Sequence, residues 1–254
     1  MFKNIFKNTK ATKPKTVLCI PGNWKSRDEI VTAIAENNDG NYLFAGKVLL
    51  DVKNNISYEI EIEEHNEDLR NSFYWAGMVN QLSEVFLDEI DQHQFTVYII
   101  GETGGFESSQ NIAKVGNAVL KAGGIGLKVE SAGKAFTKEH WSELVNDYTI
   151  VNMYEMFVLD CIQGNNGDVY SCGMHHLGYK DTIVYNEDVS AAVDLVVDFS
   201  FSQLIDDAVF KSNQDFQTND DEPKFTVTEE LHQPNAGDEL FENQYGMWKL
   251  QRKL

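Results

Sequence analysis

The stretch from Ser171 to Asp181, SCGMHHLGYKD, places a thiol, two adjacent imidazoles, two glycines and a carboxylate within eleven residues. Two chemistries can be drawn from those groups. A structural zinc site takes four protein ligands and a catalytic one takes three plus water. Cys172 with His175 or His176 supplies part of such a set, with His140 and Glu130 as distant residues that would have to complete it. Adjacent histidines point to opposite faces of a strand, so both could grip one ion only across a turn. The second chemistry is nucleophilic: Cys172 attacks, His175 or His176 serves as base, and Asp181 orients the base. Against both stands the setting. VYSCGM is an apolar strand sequence in which cysteine is a small buried hydrophobe, and Gly173 and Gly178 supply the backbone that a chain reversal needs. The expectation is therefore a packed turn, with Cys172 and at least one of His175 and His176 buried and no metal or cofactor bound.

Two glycine-rich segments invite a phosphate reading. GETGG (101–105) lies between a buried strand and a helix, where backbone amides can cradle an anion. It lacks the spacing of a nucleotide loop, and Glu102 sets a like charge where phosphate would sit. AGGIG (122–126) follows a helix, where glycine serves as a C-cap. Neither is expected to bind a nucleotide.

A stripe of carboxylates is the remaining chemical feature. In SYEIEIEEH (57–65), Glu59, Glu61 and Glu63 alternate with Ile60 and Ile62, the period of a strand with one wet and one dry face. Glutamates spaced about 7 Å apart along one strand repel one another, which solvent tolerates and a basic partner would relieve. Glu59, Glu61, Glu63 and Glu64 are accordingly the expected partner-binding residues.

Strands and helices must hold these groups in place. TVLCI (16–20) predicts a buried strand, and SRDEIVTAIAEN (26–37) a helix capped by Ser26 with Glu29 completing a capping box. Strands follow at 41–52 and 57–65, helix at about 67–92 with a break near 78–83, and strand FTVYIIG at 95–101. A linking helix (108–124), strand 126–130, helical sequence 137–163, strands 169–174 and 181–185, helix 188–210 and terminal strand material complete the chain. Both runs can be read as βαββαβ. The expected fold is α+β: two ferredoxin-like halves, 16–107 and 108–254, with mainly antiparallel sheets and helices on one face of each, after a flexible basic tail at 1–15. Between the middle strands of the second half lies SCGMHHLGYKD.

Composition bounds the partners. The 254 residues, 42% hydrophobic, can bury a substantial core, and no apolar run is long enough for a membrane span. The lysine-rich start, in which Phe2, Ile5 and Phe6 could form only a short amphipathic foot, has no apolar core of a secretion signal. Three cysteines without CxxC spacing point to a reducing cytoplasm. Net charge is −19, and since residues 1–15 hold five lysines and no acid, the rest carries 16 basic against 40 acidic residues. Such a body repels nucleic acid and anionic membranes and attracts a basic protein.

In combination the blocks LCIPGNW, AGGIGLKVESAGKAF, YSCGMHHLGYKD and LFENQYGMWKL resemble those of a bacterial family catalogued only as a domain of unknown function, over nearly the whole chain from about Thr16. The resemblance implies a bacterial cytoplasmic protein of a type similar to the accessory and immunity-like reading frames around secretion and toxin loci, and it supplies no catalytic residue. Two functions follow as expectations. One is a non-catalytic acidic binding protein, in its specific form an immunity protein that occludes a basic toxin. The other is a small-molecule or metal-dependent enzyme using Glu130, His140, Cys172, His175 and His176.

Overall fold

The continuous apolar run from Thr16 forms the first strand of a computed structural model that describes residues 13–205 and 209–253. Of the expected basic tail, residues 1–12 lie outside the described residues, and Lys15 already belongs to β1 (Lys15–Gly22). Helix α1 (Arg27–Glu36) begins where the sequence places it: the Ser26 hydroxyl accepts from the Glu29 amide at 3.2 Å. The Glu29 carboxylate reaches back one residue further than a capping box requires, to the Lys25 amide at 2.7 Å.

The segment read as one strand over 41–52 is a hairpin, β2 (Tyr42–Ala45) and β3 (Val48–Asp51), with Ala45 opposite Val48 across a Gly46–Lys47 turn. Then come β4 (Ile56–Glu64), the paired helices α2 (Leu69–Ala76) and α3 (Glu84–Asp91), β5 (Phe95–Glu102), α4 (Phe106–Lys121), β6 (Gly126–Val129), β7 (Lys134–Thr137), α5 (Lys138–Asn146) and α6 (Ile150–Phe157). The chain continues through β8 (Leu159–Gln163), β9 (Asp168–Cys172), the single turn α7 (Met174–Leu177), β10 (Asp181–Tyr185), α8 (Val189–Ile205), β11 (Gln214–Phe216), β12 (Phe225–Glu230) and β13 (Met247–Arg252).

The α+β class stands, with antiparallel-rich sheets, but the chain divides elsewhere than at 107/108. One compact unit comprises 15–102 and 106–156; the other comprises 157–253 with 103–105 and the described residues of the N-terminal segment. The N-terminal unit holds a wholly antiparallel seven-stranded sheet in the order β2-β3-β4-β5-β1-β6-β7. Strands β6 and β7, assigned by sequence to the second half, pair here because Leu18 and Cys19 of β1 find Val129 and Lys128 as neighbours. The C-terminal unit holds a six-stranded sheet, β11-β12-β13-β10-β9-β8, in which only β10 and β13 run parallel. Its succession of elements is not a second βαββαβ.

The N-terminal sheet carries helices on both faces, against the expectation of one. A side chain at Gly116 of α4 would strike Leu127 and Leu18, so α4 covers the face those leucines share. The alternate residues of β6 look the other way: Gly126 lies under the Phe86 ring of α3, and the Lys128 ammonium donates to the Ser72 hydroxyl of α2 at 2.5 Å. Two of the distinctive sequence blocks also meet. The Trp24 indole donates to the Ala122 carbonyl at 2.8 Å and lies against Gly22 and Gly123. In the C-terminal unit α8 covers one face of the sheet, where Leu195, Val196 and Phe199 join Val169, Val184, Val227 and Leu250 in a buried core.

Candidate functional site

SCGMHHLGYKD is built around one buried carboxylate. Strand β9 ends at Cys172, Gly173 (φ 115°) opens the single turn α7, Gly178 (φ 95°) closes it, and β10 begins at Asp181. Both positive angles are ones that side chains rarely adopt, so the two glycines make the reversal possible. The Asp181 carboxylate accepts from the Ser171 hydroxyl at 3.3 Å and the Met174 amide at 3.1 Å through one oxygen, and from the Asn243 amide group at 2.7 Å through the other. The Ser171 hydroxyl oxygen accepts from the Thr182 amide in turn, and Asn243 also donates to the Tyr179 carbonyl. Burial pushes Asp181 up to about 7, against the donors that favour its ionised form, Asn243 foremost.

The groups that could do chemistry are sealed within this turn. Cys172, His175 and His176 are 1, 3 and 0% exposed. Burial first, and then the Asp181 and Asp238 carboxylates, raise the Cys172 thiol well above its usual range; its sulfur lies 3.8 Å from the Phe241 carbonyl. A thiol held protonated is a poor nucleophile. Burial alone pushes His175 down to about 4, and its Nδ1 has no hydrogen-bond partner among the described residues. The His175 and His176 rings meet at 4.0 Å between centroids, with Phe157 5.5 Å beyond His176. The GETGG amides are also committed: Gly104 and Gly105 donate to the His176 carbonyl at 3.1 and 3.0 Å. Among the described residues no three His, Cys, Asp or Glu side chains are grouped to hold a metal ion.

Glu130 and His140 belong to the N-terminal unit and have partners there. Glu130 pairs with Lys128 at 2.8 Å, both nearly buried. Across the sheet Tyr98 of β5 and Lys128 of β6 flank Cys19 of β1; the Tyr98 hydroxyl donates to Cys19, and the thiol in turn donates to Glu130. Nothing in the separated segments 16–20, 95–101 and 126–130 signals that row, because strand pairing alone assembles it. His140 lies 2.7 Å from the Glu155 carboxylate on the next helix, half-exposed.

The carboxylate stripe has the expected alternation. Tyr58 and Ile60 are buried, Glu59, Glu63 and Glu64 are exposed, and Glu61, partly covered, lies 3.7 Å from Lys47. Glu61 heads the row that runs through Tyr98 and Cys19 to Lys128, so the stripe stands on the sheet face that also bears α2 and α3. Sequence reading missed what those helices leave outside. Trp75, Met78 and Val85 are 61, 57 and 72% exposed, with Tyr74 edge-on to Trp75 at 5.1 Å. Acids stand beside them, Glu84 and Asp88 sharing Arg70 at 2.7 and 3.0 Å. The signal was YWAGMV itself, apolar where the helix turns away from the sheet.

Comparisons with protein-family models, with curated proteins and with solved structures found no match to the chain. Among the described residues no helix is long and apolar enough to cross a membrane.

Proposed function

We propose that this chain is a non-catalytic binding protein for a basic protein partner, acting in the cytoplasm, and that its N-terminal unit supplies the surface. One observation carries the reading: Glu59, Glu61 and Glu63 stand on the sheet face against which α2 and α3 pack, and that helix pair and its connection turn Trp75, Met78 and Val85 out to solvent. An exposed aromatic anchor and a row of carboxylates on one unit suit a cationic amphipathic segment, the aromatic group supplying buried area and the acids steering the encounter. An immunity protein occluding a basic toxin is the specific form of this reading. Nucleic acid and anionic membranes are disfavoured as partners by the −19 charge.

The fold proposal is narrower than two ferredoxin-like halves. In the N-terminal unit the order β6-β1-β5-β4, with β5 and β6 joined through α4 and separated by β1, supports a single split βαβ core of ferredoxin-like order.

The test is differential capture on the immobilised full chain, wild type against Glu59→Lys/Glu63→Lys and against Trp75→Ala. These exposed positions should tolerate change within about 0.5 kcal/mol of stability. A basic protein held by wild type should bind at least about tenfold more weakly to Trp75→Ala. On the double lysine variant it should associate more slowly, with a flatter salt dependence. A partner held equally by all three would refute this surface. Turnover of any substrate abolished by Cys172→Ala or His175→Ala would replace the binding reading with the enzyme alternative.

A further inference from the structure

Two adjoining recesses of about 250 and 400 Å³ on the N-terminal unit share Asn38, Tyr42, Lys114 and Lys121. Among the described residues the smaller is lined by both lysines and by no carboxylate, on a chain of net charge −19. Lys114 and Lys121 stand seven residues apart on α4, two turns along one face and about 10 Å apart at the backbone. Their flexible four-carbon stems let two ammonium groups converge on an anion held between them. Neither forms an ion pair among the described residues; the Lys114 ammonium instead lies 5.1 Å over the Tyr148 ring. Tyr148 lines the same recess, and its hydroxyl is buried with no hydrogen-bond partner among the described residues. Buried hydroxyls are rarely left unmatched, so the Tyr148 hydroxyl keeps a hydrogen-bonding capacity that no described residue uses.

The wider recess holds the same two lysines with Lys53 and adds a set of acceptors. Asn37, Asn41 and Asn54 line it, and each has its amide N–H committed: to the Ala33 carbonyl at 2.8 Å, the Asn38 carbonyl at 2.8 Å and the Asp51 carboxylate at 2.8 Å. Donation through nitrogen fixes each amide plane and leaves its oxygen as an acceptor. Asp39 and Asp51 put the cleft's negative charge in this wider part. A smaller end without carboxylates among the described residues, joined through the shared lysines to a wider end of fixed acceptors, matches a molecule with an anion at one end and hydroxyls at the other.

We propose that this cleft binds a phosphorylated, hydroxyl-rich small molecule, its phosphate between Lys114 and Lys121 beside the Tyr148 hydroxyl and its hydroxyls on the amide oxygens of Asn37, Asn41 and Asn54. The site is independent of the partner surface, sharing no residue with it. Its probes are ribose 5-phosphate, inorganic phosphate and ribose, titrated against the full chain by amide-resolved NMR. Ribose 5-phosphate should give saturable shifts at residues 37–42, 114–121 and 146–148 and bind more tightly than either fragment. Lys114→Gln/Lys121→Gln should weaken it by about tenfold or more, since charge-assisted hydrogen bonds are lost. Tyr148→Phe should weaken it severalfold with no fall in thermal midpoint, because the hydroxyl has no partner among the described residues to lose. The inference is overturned if no probe saturates by about 10 mM, a limit corresponding to roughly −2.7 kcal/mol. It is equally overturned if inorganic phosphate binds as tightly as ribose 5-phosphate, or if the lysine variant binds like wild type while keeping its fold.

Discussion

Asp181 takes up a proton on folding, because burial moves it from 3.8 to about 7. Its contribution to stability therefore falls as pH rises through that window. His175 does the reverse: moved from 6.5 to about 4, it gives up a proton on folding, and its contribution falls as pH drops through its own window. Between about pH 4 and 6.5 the two slopes oppose and largely cancel. Asp181→Asn removes one of them. Relative to wild type, the variant's stability should climb by about 4 kcal/mol between pH 4 and 7, read by urea unfolding at several pH values. His175→Gln should give a difference curve of the opposite sign, and flat curves for both would refute the buried titrations. The participants were legible in SCGMHHLGYKD; the hub was not. Asp181 looked like an orienter for a base, whereas Asn243, 62 residues away, and the turn's own amides make it the anchor of the reversal.

At the level of elements, the turn is as restrictive as the strands it joins. Gly178 has φ 95°, and a methyl group there would lie 2.9 Å from the Gly104 carbonyl oxygen. Gly167, between β8 and β9, has φ 73° and open space around it. Gly178→Ala should cost about 3 kcal/mol and Gly167→Ala about 1 kcal/mol, since only the first adds a collision to the backbone strain. Urea midpoints of the two variants separate these contributions, and equal losses would refute the close approach. Element types were largely readable: α1 starts at its Ser26 cap, the 78–83 break falls between α2 and α3, and β4 alternates. The β2–β3 hairpin was missed because an apolar run of strand-like residues hides a two-residue turn at Gly46–Lys47.

Across the whole chain, 40 acids against 21 basic residues favour expansion through self-repulsion. The ion pairs that offset it are mostly exposed, such as Arg70 with Glu84 and Lys253 with Asp215, and contribute little singly. Screening should therefore stabilise the fold. Raising NaCl from about 0.05 to 0.5 M, which shortens the Debye length severalfold, should raise the thermal midpoint by a few degrees. The same salt should slow capture of a basic partner. A midpoint that falls with salt would mean that attractive pairs outweigh the net repulsion.

From sequence alone came the quantities that depend on neighbours along the chain: the α+β class, the helix caps, the alternation that exposes Glu59 and Glu63, and the glycines flanking a turn. These follow from local periodicity and backbone sterics, which need no distant partner. Tertiary structure decided which strands pair, so that β6 and β7 complete the first sheet rather than begin a second. It also decided the chemistry of each polar group. Cys172 and His175 are inert or available according to burial, and burial depends on what packs over them, as with Asp181, whose anchor comes from Asn243 far along the chain. Trp75 is exposed and Trp141 buried although both lie on short amphipathic helices, because the helix face that meets the sheet is chosen by long-range packing.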